Sequence, residues 1–257
     1  MKGVTMRMIH STACAVCVFG LVSSGAMAQE TNGAQQAKSL TTQITKPVST
    51  DYLLYLPKGY DANSGKSWPL MLFLHGAGER GTDIWKVTTH GPPKLVKQGR
   101  EFPFLIVSPQ CPAGRQWDND VLLALLDDVE KHYKVDTSRV YLTGLSMGGY
   151  GTWSLGLKYP ERFAAIVPIC GGGDPLAFRL ADPKKAESLK SLGIWAFHGA
   201  KDPTVSVSES QRMVEALKTF GCKEVELTIY PEAQHDSWTV TYDNPKVFEW
   251  LLAHQRK

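Results

Sequence analysis

What this chain of 257 residues lacks narrows the reading before any motif is found. There is no block of like charge. Its 28 basic and 25 acidic residues nearly cancel, for a formal net charge of +3, so charge offers no argument for a nucleic-acid partner. The longest N-terminal apolar stretch, Ala13 to Val22, falls short of the roughly 20 residues that a membrane helix needs. No internal repeat and no linker-like composition divides the chain. Cysteine is scarce, with five in all. Two of them, Cys14 and Cys17, lie inside the N-terminal apolar stretch. The other three, Cys111, Cys170 and Cys222, are too scattered to suggest a metal cluster, and neither metal nor cofactor is expected. In an oxidising compartment one disulfide and one free thiol could form, but spacing does not choose the pair.

The N-terminus reads as an address. Lys2, Arg7 and His10 precede the apolar stretch, and Ala26-Met27-Ala28 gives a small-x-small cleavage site before Gln29. This pattern predicts a secretory signal peptide over residues 1–28 and a secreted or periplasmic mature protein, with no membrane association after cleavage. Residues 29–50, rich in Gln, Thr, Ser and Ala, are expected to form a flexible leader. The remainder, residues 51–257, is long enough for one α/β domain with a full core.

Along that stretch, short apolar runs alternate with helical periodicity. Tyr52–Leu56, Trp68–His75, Phe102–Ser108, Val140–Leu142, Phe163–Cys170, Ile194–His198 and Val225–Tyr230 read as strands. Val121, Leu122, Leu125, Leu126, Val129 and Tyr133 recur at helical spacing. Ser206 and Glu209 suggest a capping box for a helix running to Phe220, with Gly221 as its stop. Val247, Trp250 and Leu251 mark a closing helix. Strands that alternate with helices predict a mostly parallel sheet covered on both faces.

One turn in this pattern has a chemical reason for its spacing. Gly144-Leu145-Ser146-Met147-Gly148 fits G-x-S-x-G, directly after a β-prone run. A serine hydroxyl pushed clear of a sharp strand-to-helix turn leaves no space for side chains two residues away on either side. Three more candidate groups fall at or just beyond strand ends, where open α/β sheets present function. They are His75-Gly76-Ala77-Gly78, Asp202 and His235. Asp174 and Asp236 remain rival acids. His75 and His198 are expected to brace their loops, and His90, His132 and His254 to lie at the surface. Glu79 and Arg80 either line the mouth of a site or form an ion pair.

These four motifs together, His-Gly-Ala-Gly, Gly-Leu-Ser-Met-Gly-Gly-Tyr-Gly, His-Gly-Ala-Lys-Asp-Pro-Thr-Val and Gln-His-Asp-Ser-Trp, resemble the α/β-hydrolase superfamily. More narrowly, they are similar to secreted phospholipase/carboxylesterase-like and feruloyl-esterase-like enzymes, over roughly residues 50–255. The resemblance implies an α/β-hydrolase fold and a cofactor-free serine hydrolase. Ser146 would be its nucleophile, His235 its base and Asp202 its acid. It further implies an oxyanion hole from the backbone N–H groups of Met147 and Ala77. Trp117 and Trp238 flank motif loops and are candidate walls for an acyl or sugar group, though packing explains them as well. The interval Gly171–Gly193 has space for a loop and one short helix, so no cap domain is expected. The expected partner is a small or polysaccharide-linked ester, here of short-acyl or aryl type. A prolyl-oligopeptidase-like peptidase and a non-catalytic binding protein on the same scaffold are the alternatives.

Overall fold

The computed structural model describes residue 35 and residues 37–256. The signal peptide expected over residues 1–28 lies outside the described residues. The chain divides into two units, residues 1–45 and 46–257. In the first, residues 37–45 carry no helix or strand. Among the described residues, the second holds all the regular structure, and no helix is long and apolar enough to cross a membrane.

Seven strands form one sheet: β1 (Tyr52–Tyr55), β2 (Trp68–Leu74), β3 (Leu105–Pro109), β4 (Val135–Leu145), β5 (Ala165–Ile169), β6 (Gly193–Gly199) and β7 (Val225–Tyr230). Their spatial order is β1-β3-β2-β4-β5-β6-β7. Only β1 runs antiparallel, along the edge beside β3; every other pairing is parallel. The helices are α1 (Gly91–Lys97), α2 (Asn119–His132), α3 (Met147–Lys158), α4 (Leu176–Arg179), α5 (Pro183–Ser191), α6 (Ser208–Phe220), α7 (Ser237–Asp243) and α8 (Pro245–Ala253).

The apolar run of β2 shows why the sheet lies inside. All seven of its residues are buried, as a strand covered on both faces requires. Alternate side chains then serve two separate cores. Leu70, Leu72 and Leu74 pack with Leu122, Leu126, Trp153, Met213 and Leu217 from α2, α3 and α6. Met71 and Phe73 point the other way, to Tyr242, Val247, Phe248 and Leu251 from α7 and α8.

This architecture is the α/β-hydrolase fold that the motifs implied. The interval between β5 and β6 carries only α4 and α5, two short helices where one was expected, and no large cap. The predicted capping box of α6 does not form. Val207 precedes the helix without a side-chain cap, and Glu209 bonds Arg212 instead. Gly221 does end that helix, in the left-handed conformation at φ 97°.

Candidate active site

β4 delivers Ser146 at its C-terminal end, where the chain turns into α3. The turn is strained. Ser146 has φ 52° and ψ −116°, a left-handed value that is costly for a residue with a Cβ. Close backbone approach holds it there. A Cβ on Gly148 would lie 1.9 Å from the Leu74 carbonyl oxygen, and one on Gly144 would lie 2.4 Å from that of Gly148. The glycines of the motif are thus required by the backbone of β2 and of the turn itself. The Ser146 N–H donates to the Ile169 carbonyl at 3.0 Å, which ties the turn to the end of β5.

Two loops bring the partners. Asp202 follows β6, and its Oδ1 accepts from the backbone N–H groups of Thr204 and Val205 at 2.8 and 2.9 Å. Its other oxygen, Oδ2, accepts from His235 Nδ1 at 2.7 Å. His235 follows β7, and its Nε2 lies 2.9 Å from Ser146 Oγ, placed to accept the hydroxyl proton. Burial pushes the Asp202 carboxyl up, but the His235 bond and the two N–H donors outweigh it and hold it below the ordinary range. An ionised Asp202 fixes the imidazole with Nδ1 protonated and Nε2 free to take a proton. The structure therefore brings Ser146, His235 and Asp202 into one hydrogen-bonded line. The rival acids stand apart from it. Asp174 accepts from the Leu176 N–H at 2.9 Å, and Asp236 precedes α7 without bonding His235.

Met147 and Ala77 are the first residues of their helices, α3 and a single 3-10 turn over Ala77–Glu79. N–H groups at that position have no acceptor within the helix. The Ala77 loop is braced from behind. His75 is fully buried, donates from Nδ1 to the Gly76 carbonyl at 2.6 Å and accepts the Cys111 N–H at 3.0 Å. Arg80 Nε donates to the Ala77 carbonyl at 2.9 Å, while Glu79 is buried near His75 and His90. Arg80 thus holds the loop rather than Glu79. His198 is buried too and bridges Val205 and Ser210.

Cys170, at φ 41°, is a second strained residue directly behind this line. Its Sγ and ligand atoms of Asp202 and His235 all lie within 4.8 Å of one another. Burial pushes the thiol up to about 12, so it stays protonated at neutral pH. Cys111, Cys170 and Cys222 are all free thiols.

A cleft of about 810 Å³ opens beside Ser146 along α3. Gln116 and Trp117 form one bank; Gly172, Gly173 and Asp174, with Glu209 and Arg212, form the other. Trp117 stands as a wall, its indole N–H donating to the His75 carbonyl at 3.2 Å. Trp238 does not line this cleft. It packs edge-on to His235, with ring centroids 5.2 Å apart, and on to His90. Of the two further aromatic rings that line the cleft, Trp153 is buried and Tyr150, one turn into α3, is exposed; the motifs did not single out Tyr150. Its spacing of four from Ser146 was the available signal.

Comparison with known proteins agrees with this fold. The phospholipase/carboxylesterase family matches residues 119–248, half of the chain. A protein of Aspergillus terreus described as probable feruloyl esterase C is 25% identical over 85% of this chain and 79% of its own length. A bifunctional acetylxylan esterase/xylanase of Neocallimastix patriciarum is 27% identical over 74% of this chain, which spans only 27% of that protein. The crystal structure of a thermostable esterase superposes with a TM-score of 0.62 at 35% identity, covering 80% of this chain and 59% of the other.

Proposed function

The chain belongs to the phospholipase/carboxylesterase family of α/β-hydrolases, and we propose that it is a serine esterase working through an acyl-enzyme and exported by the signal pattern of residues 1–28. The observation that carries the reading is the unbroken line from Asp202 through His235 to Ser146 at the C-terminal edge of the sheet. In the first half-reaction Ser146 Oγ attacks the ester carbonyl carbon while His235 Nε2 takes its proton. The carbonyl oxygen becomes an oxyanion held by the Met147 and Ala77 N–H groups, donors that contribute about 3 kcal/mol each in such sites. Collapse breaks the bond to the alcohol, which leaves with the proton from His235. Water then attacks the acyl-enzyme by the same route, releasing the acid and restoring Ser146 Oγ–H. Asp202 orients the ring and stabilises its charged form throughout.

The substrates are short-acyl or aryl esters, including those attached to carbohydrate. The relatives described as feruloyl and acetylxylan esterases support this class. Trp117 at the cleft supports an aryl group. A fluorophosphonate should label the wild-type protein on Ser146, and p-nitrophenyl acetate should turn over. Ser146→Ala should lose both while keeping its circular dichroism. An unlabelled wild type points to a binding protein, and preference for a peptide amide over the ester points to a peptidase. For export, N-terminal sequencing of the mature protein should begin at Gln29; a start at Met1 removes that part of the reading.

A further inference from the structure

The cleft along α3 has an unequal composition, and one carboxylate in it has no function yet assigned. Ser146 to Leu157 spans about 16 Å of helix, so the groove is longer than the ester group alone requires. His235 is not among its lining residues. If the protein is the serine esterase proposed above, the leaving oxygen must face His235 to be protonated, so the groove receives the acyl side of the ester.

Near Ser146 the groove is aromatic, with Trp117 on one bank and Tyr150 about 6 Å further along the helix axis. At the level of Tyr150 a polar bank joins it, opposite the apolar lining that Trp153 and Leu157 continue along the helix. A Cβ on Gly172 would stand 2.5 Å from Glu209 Oε2 and 3.0 Å from Tyr150 Cε1, so carboxylate and ring edge meet at one bare point of backbone. The carboxylate is aimed by a second residue. Arg212 donates to Glu209 Oε2 at 2.8 Å and is itself anchored on the Gly173 carbonyl at 2.9 Å. Glu209 Oε1 accepts no hydrogen bond among the described residues. Burial, and after it the charge of Glu209, pushes the Tyr150 phenol up, so that ring stays neutral beside the carboxylate.

We propose that Glu209 is a specificity-determining residue: it accepts a hydrogen bond from a ring hydroxyl on an aryl acyl group lodged between Trp117 and Tyr150, as in a 4-hydroxycinnamoyl ester. A flat ring fits the aromatic banks beside the serine, and a hydroxyl on the ring end remote from the carbonyl reaches the level where the polar bank begins. A site arranged to bond a substrate hydroxyl disfavours the analogue that lacks it. Glu209 keeps a 34% exposed side chain, so water replaces part of the lost bond and the preference is on the order of tenfold.

The test is a matched pair, methyl 4-hydroxycinnamate and methyl cinnamate, with kcat/KM measured for each. The wild type should favour the hydroxylated ester roughly tenfold. Glu209→Ala should bring the ratio close to one, and Glu209→Gln, which keeps a neutral acceptor and the shape, should fall between. The two variants together separate a lost acceptor from a disturbed helix. A wild type without preference, or a ratio unchanged in both variants, overturns the role of Glu209 while p-nitrophenyl acetate turnover by the wild type leaves the esterase reading standing. Absence of that turnover in the wild type overturns both.

Discussion

His75, buried behind the Ala77 loop, links the stability of the fold to pH. Burial dominates over its bond to the Gly76 carbonyl and lowers its pKa to about 4. In the unfolded chain a histidine titrates at about 6.5. Between those values the unfolded state takes up a proton that the folded state refuses. The stability linked to His75 is therefore complete above about pH 6.5 and falls as the pH drops towards 4, by about 3 kcal/mol in all. Asp202 works in another window. Its folded pKa is depressed, so its contribution persists down to the ordinary carboxylate value of about 4 and is lost only as the pH falls through the lower folded value. Urea midpoints measured from pH 7 to 4 should show the first limb, and His75→Asn should flatten it. An unchanged slope in that variant assigns the limb to another group. At this scale the sequence was legible where chemistry dictates type and order, as for Ser146, Asp202 and His235. Trp238, which adjoins a motif in sequence, packs on His235 and His90 rather than along the cleft, a placement that its sequence position does not reveal.

Elements were legible in proportion to how far their apolar pattern belonged to them alone. β2 and β5 are continuous buried runs and β6 is one but for Trp195, and their positions follow from sequence to within a few residues. β4 begins at Val135, five residues before its apolar run. Val135 pairs with Trp68, the register then shifts, and none of Asp136 to Arg139 is fully buried, so no apolar pattern marks them. α7 escaped notice for a different reason. Its Trp238-Thr239-Val240-Thr241-Tyr242 is rich in residues that favour strands. Packing overrides that preference: Tyr242 is buried against Phe73, and Thr241 Oγ1 donates to the Ser237 carbonyl at 2.8 Å. The banks of the cleft come from segments around residues 117, 150, 172 and 209, and only the folded chain brings them together.

For the molecule as a whole, the short interval between β5 and β6 decides how substrate arrives. With only α4 and α5 there, the groove stays open to solvent and passes Asp174, Glu209 and Arg212. A buried methylene contributes about 0.8 kcal/mol where the wall is apolar and closed. Beyond the first helical turn this groove is open, and Asp174, Glu209 and Arg212 interrupt its apolar lining, so long acyl chains gain little. Across acetyl, butyryl, octanoyl and palmitoyl p-nitrophenyl esters, kcat/KM should peak at the short end, with no rise in rate above the solubility limit. A maximum at palmitoyl with activation in emulsion would refute this. The contact of Gly148 with the Leu74 carbonyl has a consequence of another kind. It fastens the serine turn to the strand that leads into the Ala77 loop through backbone alone, whereas the banks of the groove are built largely from side chains on separate segments. Descent with modification can therefore re-cut the banks residue by residue, while the turn that carries Ser146 is inherited whole.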